Sequence, residues 1–135
     1  MTSSKETNLP KLPERYEIVR MLGQGGMAQV WLARDLEADA EVAIKVLFDH
    51  LREDALVIER FRREIVASRK LVSAHIIEIF DLIETEETTA LVMEYHPGRD
   101  LKEIIRREGA LAPERALSIM TQLLDGLGAA HSAGI

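Results

Sequence analysis

Leu22-Gly23-Gln24-Gly25-Gly26-Met27-Ala28-Gln29-Val30, with Val42-Ala43-Ile44-Lys45 shortly after it, decides how the rest of this chain is read. Glycines in a tight turn let backbone N–H groups come close to phosphate oxygens. A dinucleotide fingerprint or a P-loop would need a helix directly after the glycines, so that its N-terminal dipole meets the phosphate. Here the strand-like Val30-Trp31-Leu32-Ala33 follows, and no Gly-Lys-Ser/Thr is present. Tyr16 to Leu22 precedes the turn as a mixed apolar and charged segment, which gives strand, glycine turn, strand. Glu41 to Phe48 is β-branched and apolar and makes a third strand, so the three form an antiparallel meander.

Moving outward, Lys45 shares a strand face with Ala43 and Leu47, while Val42, Ile44 and Val46 point the other way. A lysine flanked by apolar residues needs an anion, because a buried ammonium is costly unless paired; the alternative is a lysine that snorkels out at the sheet edge. From about Glu53 to Val72 the period changes to that of an amphipathic helix, with Val57, Phe61, Ile65, Ser68 and Val72 on one stripe. Glu64 lies about 60° from Phe61 and about 40° from Ser68 on the helical wheel, beside that stripe, and is the candidate anion. The competing partner for Glu64 is Arg60, one helical turn earlier. Ile76 to Ile83 and Thr88 to Tyr95 read as two more strands joined by the acidic turn Glu84-Thr85-Glu86-Glu87. His96-Pro97-Gly98 breaks the pattern. A short helix from Leu101 to Arg107 follows. The last helix runs from about Pro113 to His131, with Pro113 in its first turn, Gly134 as its C-terminal stop and Ala112 as a poor N-cap. The fold class is α+β: a sheet-rich lobe of five strands and one helix leading into the start of a helical one.

Composition narrows the function classes. The 135 residues suffice for one domain or part of one, and the hydrophobic and charged fractions, 47% and 30%, are those of a folding chain. The formal net charge of -6 is opposite to what a phosphate backbone attracts, so nucleic acid is not an expected partner. With no cysteine there is no disulfide, thiolate metal site or cysteine nucleophile. The four histidines, His50, His75, His96 and His131, are too scattered for a local metal motif. No apolar run approaches the roughly 18 residues of a membrane span, and the first residues carry no signal-like apolar region; cytoplasmic placement is the expectation.

Taken together, LGQGGMAQV, VAIK, FRREI from Phe61 to Ile65, MEYHPGRDL from Met93 to Leu101, and HSAGI at the end resemble the N-terminal part of the catalytic domain of the eukaryotic-type serine/threonine protein kinases. The resemblance runs from about Tyr16 to Ile135. It implies a flexible tail over 1–15, an N-lobe over 16–95, a hinge over 96–100 and the start of a helical C-lobe over 101–135. It also implies ATP as ligand. Leu22, Val30 and Ala43 would form the adenine ceiling, and Gly23, Gln24, Gly25, Gly26 and Met27 the loop over the phosphates. Lys45 would hold the α/β-phosphates and Glu64 would hold Lys45. Met93 would be the gatekeeper, the backbone of Glu94 and His96 would bond the adenine edge, and Asp100 would meet the ribose.

Two departures qualify the resemblance. Ala28 replaces the third loop glycine; with Gly-Gly-Met before it, the loop looks like that of the bacterial kinases, and its methyl is tolerated unless φ is positive there. The sequence also stops where the family would continue into His-Arg-Asp, so the catalytic base and the Mg2+ ligands implied by the resemblance are expected beyond Ile135 and the chain alone is expected to transfer no phosphate. A non-catalytic nucleotide-binding or interaction module is the alternative, and a small-molecule phosphotransferase with a similar lobe is a third reading. The protein substrate is not legible.

Overall fold

A computed structural model describes residues 8–135. Five strands, β1 (Tyr16–Gln24), β2 (Ala28–Asp35), β3 (Ala40–Leu47), β4 (Ile79–Glu84) and β5 (Thr89–Glu94), form one antiparallel sheet in the order β1-β2-β3-β5-β4. The meander is therefore continued by β5 against β3, and β4 takes the edge. The helices are α1 (Ala55–Arg69), α2 (Leu101–Glu108) and α3 (Pro113–Ser132).

Cross-strand register sorts the side chains into two faces. Ala33, Val42, Ile44, Ile83, Ala90 and Val92 join Tyr16 in the cluster on one face. On the other, Leu91 packs with Phe61 and Ile65 of α1, and Ile79, Leu82 and Met93 border them. Alternation along β3 puts Lys45 on this second face, since it pairs with Val30 on one side and Leu91 on the other.

Four expectations shift. The glycine turn is a hairpin whose tip is only 25–27, because Gly23 and Gln24 remain in the ladder opposite Val30 and Gln29. Helix α1 starts after Asp54, whose carboxylate accepts from the N–H groups of Leu56 and Val57, and it ends at Arg69. Val72, expected on the apolar stripe, lies past that end and is 97% exposed. Strand β4 begins at Ile79 and not at Ile76, because the Ser73 hydroxyl and carbonyl accept from His75 and Ile76 N–H and turn the backbone there.

Part of the lead-in expected to be flexible over 1–15 makes defined contacts. Residues 1–7 lie outside the described residues, but Leu12 packs against the first cluster and the Thr88 hydroxyl donates to the Lys11 carbonyl at 2.7 Å. Arg15 forks onto Asp35 at 2.8 and 2.7 Å, and Asp35 also accepts from Glu37 and Ala38 N–H. This ion pair holds the Asp35 carboxyl down at about 2 and ties the chain entry to the β2–β3 turn.

Helix α3 behaves at its ends as its sequence suggests: Ala112 offers no side-chain cap, and Gly134 adopts φ +82 just past the helix. Met120, Leu123, Leu124 and Leu127 are half exposed. The helix meets the sheet side at Gly126, where an added Cβ would stand 3.2 Å from the His75 carbonyl oxygen. Among the described residues no helix is long and apolar enough to cross a membrane.

Candidate functional site

The second face of the sheet, below the glycine hairpin, gathers several of the residues singled out in the sequence. Val30, Ala43, Lys45 and Met93 share it by register: Val30 opposite Lys45, and Ala43 opposite Met93. Gly23 stands opposite Val30 on the β1 side. Leu22 is half-buried at a register shift of β1. Gln24, the last residue of β1, and Met27, in the hairpin tip, are exposed.

The hairpin tip is closed by the Gly25 N–H donating to the Ala28 carbonyl at 2.9 Å, and Phe48 N–H ties it to β3 through the Met27 carbonyl. None of its glycines has positive φ, nor does Ala28, so the methyl there is tolerated as expected. A Cβ at Gly23 or Gly26 would meet no protein atom within 4 Å. The protein's own packing therefore does not require glycine at Gly23 or Gly26.

Lys45 and Glu64 are brought together, Nζ to Oε2 at 3.7 Å. The lysine side chain is 29% exposed and the carboxylate 55%. The lysine thus neither snorkels out nor is sealed in, and Glu64 faces Lys45 and not Arg60. The ammonium also stands 5.8 Å from the centroid of the Phe61 ring, a contact that favours a cation. One carboxylate partner leaves the three-donor ammonium with hydrogen-bonding capacity toward the open side.

At the lower edge of β5 the chain turns into the helical part. Glu94 N–H donates to the Glu78 carbonyl at 2.9 Å, and the Glu94 carboxylate accepts from Glu78 N–H and pairs with the His96 imidazole at 2.8 Å. Among the described residues the His96 N–H has no acceptor, and the His96 side chain lies against the Glu94 carboxylate. Asp100 has a local task that the sequence reading missed: its carboxylate accepts from Glu103 N–H at 2.7 Å and caps α2. Among the described residues no three His, Asp or Glu side chains gather in a way that could hold a metal ion.

A sheet with an apolar-seated lysine, a glycine hairpin above it, a carboxylate helix behind it and a linker to helices defines the class, and comparison with known proteins agrees. The protein kinase domain family matches residues 16–135, and the chain belongs to that family. It is 43% identical over 122 residues to the serine/threonine-protein kinase PrkC of Bacillus subtilis, covering 90% of this chain and 19% of that protein. It is 36% identical over 133 residues to the serine/threonine-protein kinase PknB of Mycobacterium leprae, covering 96% of this chain and 21% of that one. The structure superposes on the kinase domain of M. tuberculosis PknI with a TM-score of 0.78 at 29% identity, over 90% of this chain and 49% of the solved one. The chain thus spans about a fifth of the length of the curated relatives it matches. It is a member of the bacterial serine/threonine protein kinases by sequence and by fold.

Proposed function

We propose that this chain is the ATP-binding part of a serine/threonine protein kinase that moves the γ-phosphoryl group of ATP to protein hydroxyls. The observation that carries the reading is the Lys45–Glu64 pair, 3.7 Å apart on the sheet face below a hairpin whose glycines the protein itself does not need. An ammonium held by a single carboxylate suits an α/β-phosphate, to which it adds charge-assisted hydrogen bonds. Gly23, Gln24, Gly25, Gly26 and Met27 cover the phosphates, and Leu22, Val30 and Ala43 lie against one face of the adenine. Met93 closes the rear of that slot, and the Glu94 carbonyl and His96 N–H address the adenine edge. Asp100 keeps one carboxylate oxygen for the α2 cap, so its contact with the ribose uses the other.

The lobes divide as 16–95, 96–100 and 101–135, after an N-terminal segment over 1–15. Mg2+ arrives with the nucleotide and neutralises its phosphates; no described residue is assigned to it. The reading places the protein in the cytoplasm, where ATP is abundant, with a protein substrate and without nucleic acid, which a net charge of -6 disfavours.

The test is thermal melting of the chain with Mg·ATP, Mg·ADP and adenosine at equal concentration. A ligand that binds only the folded state stabilises it by about 2.7 kcal/mol at a hundredfold excess over Kd. Both phosphorylated nucleotides should raise Tm more than adenosine does. Equal or absent shifts would remove the phosphates from the account.

A further inference from the structure

The position of Glu64 depends on how α1 is seated, and α1 is attached almost wholly to the β4–β5 hairpin. Phe61 and Ile65 pack on Leu91 at mid-helix, and Arg62 pairs with Glu84 at 2.8 Å. At the N-terminal end the attachment is different. Arg52, two residues before the Asp54 cap, sends its guanidinium into the turn between β4 and β5. There it donates to the carbonyl oxygens of Glu87 at 2.5 Å, Thr85 at 3.2 Å and Glu86. Its side chain is 20% exposed, and its Nε–H is buried without a partner. A buried donor left unpartnered is costly, so the three carbonyl bonds outweigh it in holding this geometry.

The cage that receives Arg52 is itself built. The Thr85 hydroxyl accepts from Thr88 N–H at 2.9 Å and Glu87 N–H at 3.3 Å, and Thr85 N–H donates to the Thr88 carbonyl at 2.9 Å. These bonds turn the carbonyls of 85–87 toward one point. By comparison the Arg62–Glu84 pair is exposed on both sides, 55% and 41%, and such pairs contribute little.

We infer that Arg52 is a positioning residue: its fork in the carbonyl cage of 85–87 fixes the N-terminal end of α1, and so sets Glu64 at the distance from which it holds Lys45. The inference rests on the proposed nucleotide site only for its consequence on ATP, because the seating of α1 is measurable without any ligand.

The chain has no cysteine, so a pair of spin labels can be placed cleanly by Glu41→Cys at the start of β3 and Arg60→Cys on α1, both exposed positions. Distance distributions are recorded for the labelled parent and for Arg52→Met, Arg52→Lys and Thr85→Val, with melting curves for each. The parent should give one narrow distance. Arg52→Met, which keeps the stem and loses the fork, should at least double its width or add a longer distance at temperatures where the sheet is still folded. Thr85→Val should move it in the same direction from the cage side, and Arg52→Lys should fall between. Superimposable distributions, whatever happens to Tm, would overturn the inference. If Arg52→Met does not fold, Arg52→Lys and Thr85→Val decide by the same criterion. Mg·ATP affinity should fall about tenfold in Arg52→Met, equivalent to about 1.4 kcal/mol. Unchanged affinity beside loosened distances would deny that Arg52 acts through Glu64. A parent that binds no nucleotide would instead sink the proposed function and leave the distance result to judge Arg52.

Discussion

Replacing Phe61 by alanine should weaken the packing of α1 on the sheet, and the size of the effect follows from its surroundings. Phe61 is 2% exposed, packs with Ile65 and Leu91, and has Ile79, Leu82 and Met93 at its border. Its ring also faces the Lys45 ammonium at 5.8 Å. Truncation of a buried phenylalanine to alanine costs ~3–5 kcal/mol, the spread depending on how far the site collapses. Here one wall of the site is a helix held otherwise by Arg52 and Arg62, so it can settle inward, and the lower end, ~3 kcal/mol, is expected. Small domains have about 5–15 kcal/mol in all, so the variant should fold but sit near its limit. In urea, with a slope of about 2 kcal/mol per molar, the midpoint should fall by about 1.5 M. Phe61→Leu, which keeps most of the volume, should lose less than about 1.5 kcal/mol. Equilibrium unfolding followed by far-UV circular dichroism measures both. A loss below about 1 kcal/mol for Phe61→Ala would mean that this cluster is not what seats the helix.

Two further outcomes follow from other contacts. The Asp35 carboxyl titrates in the folded chain at about 2, below its ordinary value, because Arg15 hydrogen-bonds and pairs with its ionised form. A folded pKa below the unfolded one gives stabilisation that is complete above the unfolded pKa and lost as pH falls from about 4 toward 2, so Asp35→Asn should flatten the acid limb of a stability-against-pH curve in that window. An unchanged limb would contradict the pairing. At Gly126 an added methyl would lie 3.2 Å from the His75 carbonyl oxygen, so Gly126→Ala should be near neutral, its helix propensity offsetting the crowding. Gly126→Val should cost ~1–3 kcal/mol by denaturant unfolding, and a neutral valine would show that α3 does not dock there.

How much of this was legible depends on how local the signal is. Lys45 and Glu64 could be paired from sequence because alternation on β3 and the helical wheel of α1 each left one charge beside apolar neighbours, and the structure joins them. Among the described residues the five strands and three α-helices follow from periodicity, with end errors where a side chain decides the boundary: Asp54 delays α1, and the Ser73 turn delays β4. The contacts made across the fold were not legible. Arg15 and Asp35 meet over the start of β1 and the end of β2, and nothing in the spacing marks them as partners. Arg52 reads as one more cation before an amphipathic helix, because its acceptors are backbone carbonyls that carry no sequence signature. Asp100 had a detectable signal, an aspartate directly before a helix with a glutamate three residues on, and the resemblance to a ribose contact obscured it.

The placement of the Lys45 ammonium against nucleotide phosphates can be probed with a reactive nucleotide. An acyl-phosphate derivative of ATP transfers its acyl group to an amine beside the phosphates, the lysine nitrogen attacking the acyl carbon and ATP departing. The chain offers Lys5, Lys11, Lys45, Lys70 and Lys102 as competing targets. Peptide mass mapping after brief exposure should find Lys45 acylated far ahead of the other four, with the label suppressed by excess Mg·ATP and not by adenosine. Acylation spread over all five lysines, or at Lys45 but indifferent to ATP, would contradict that placement.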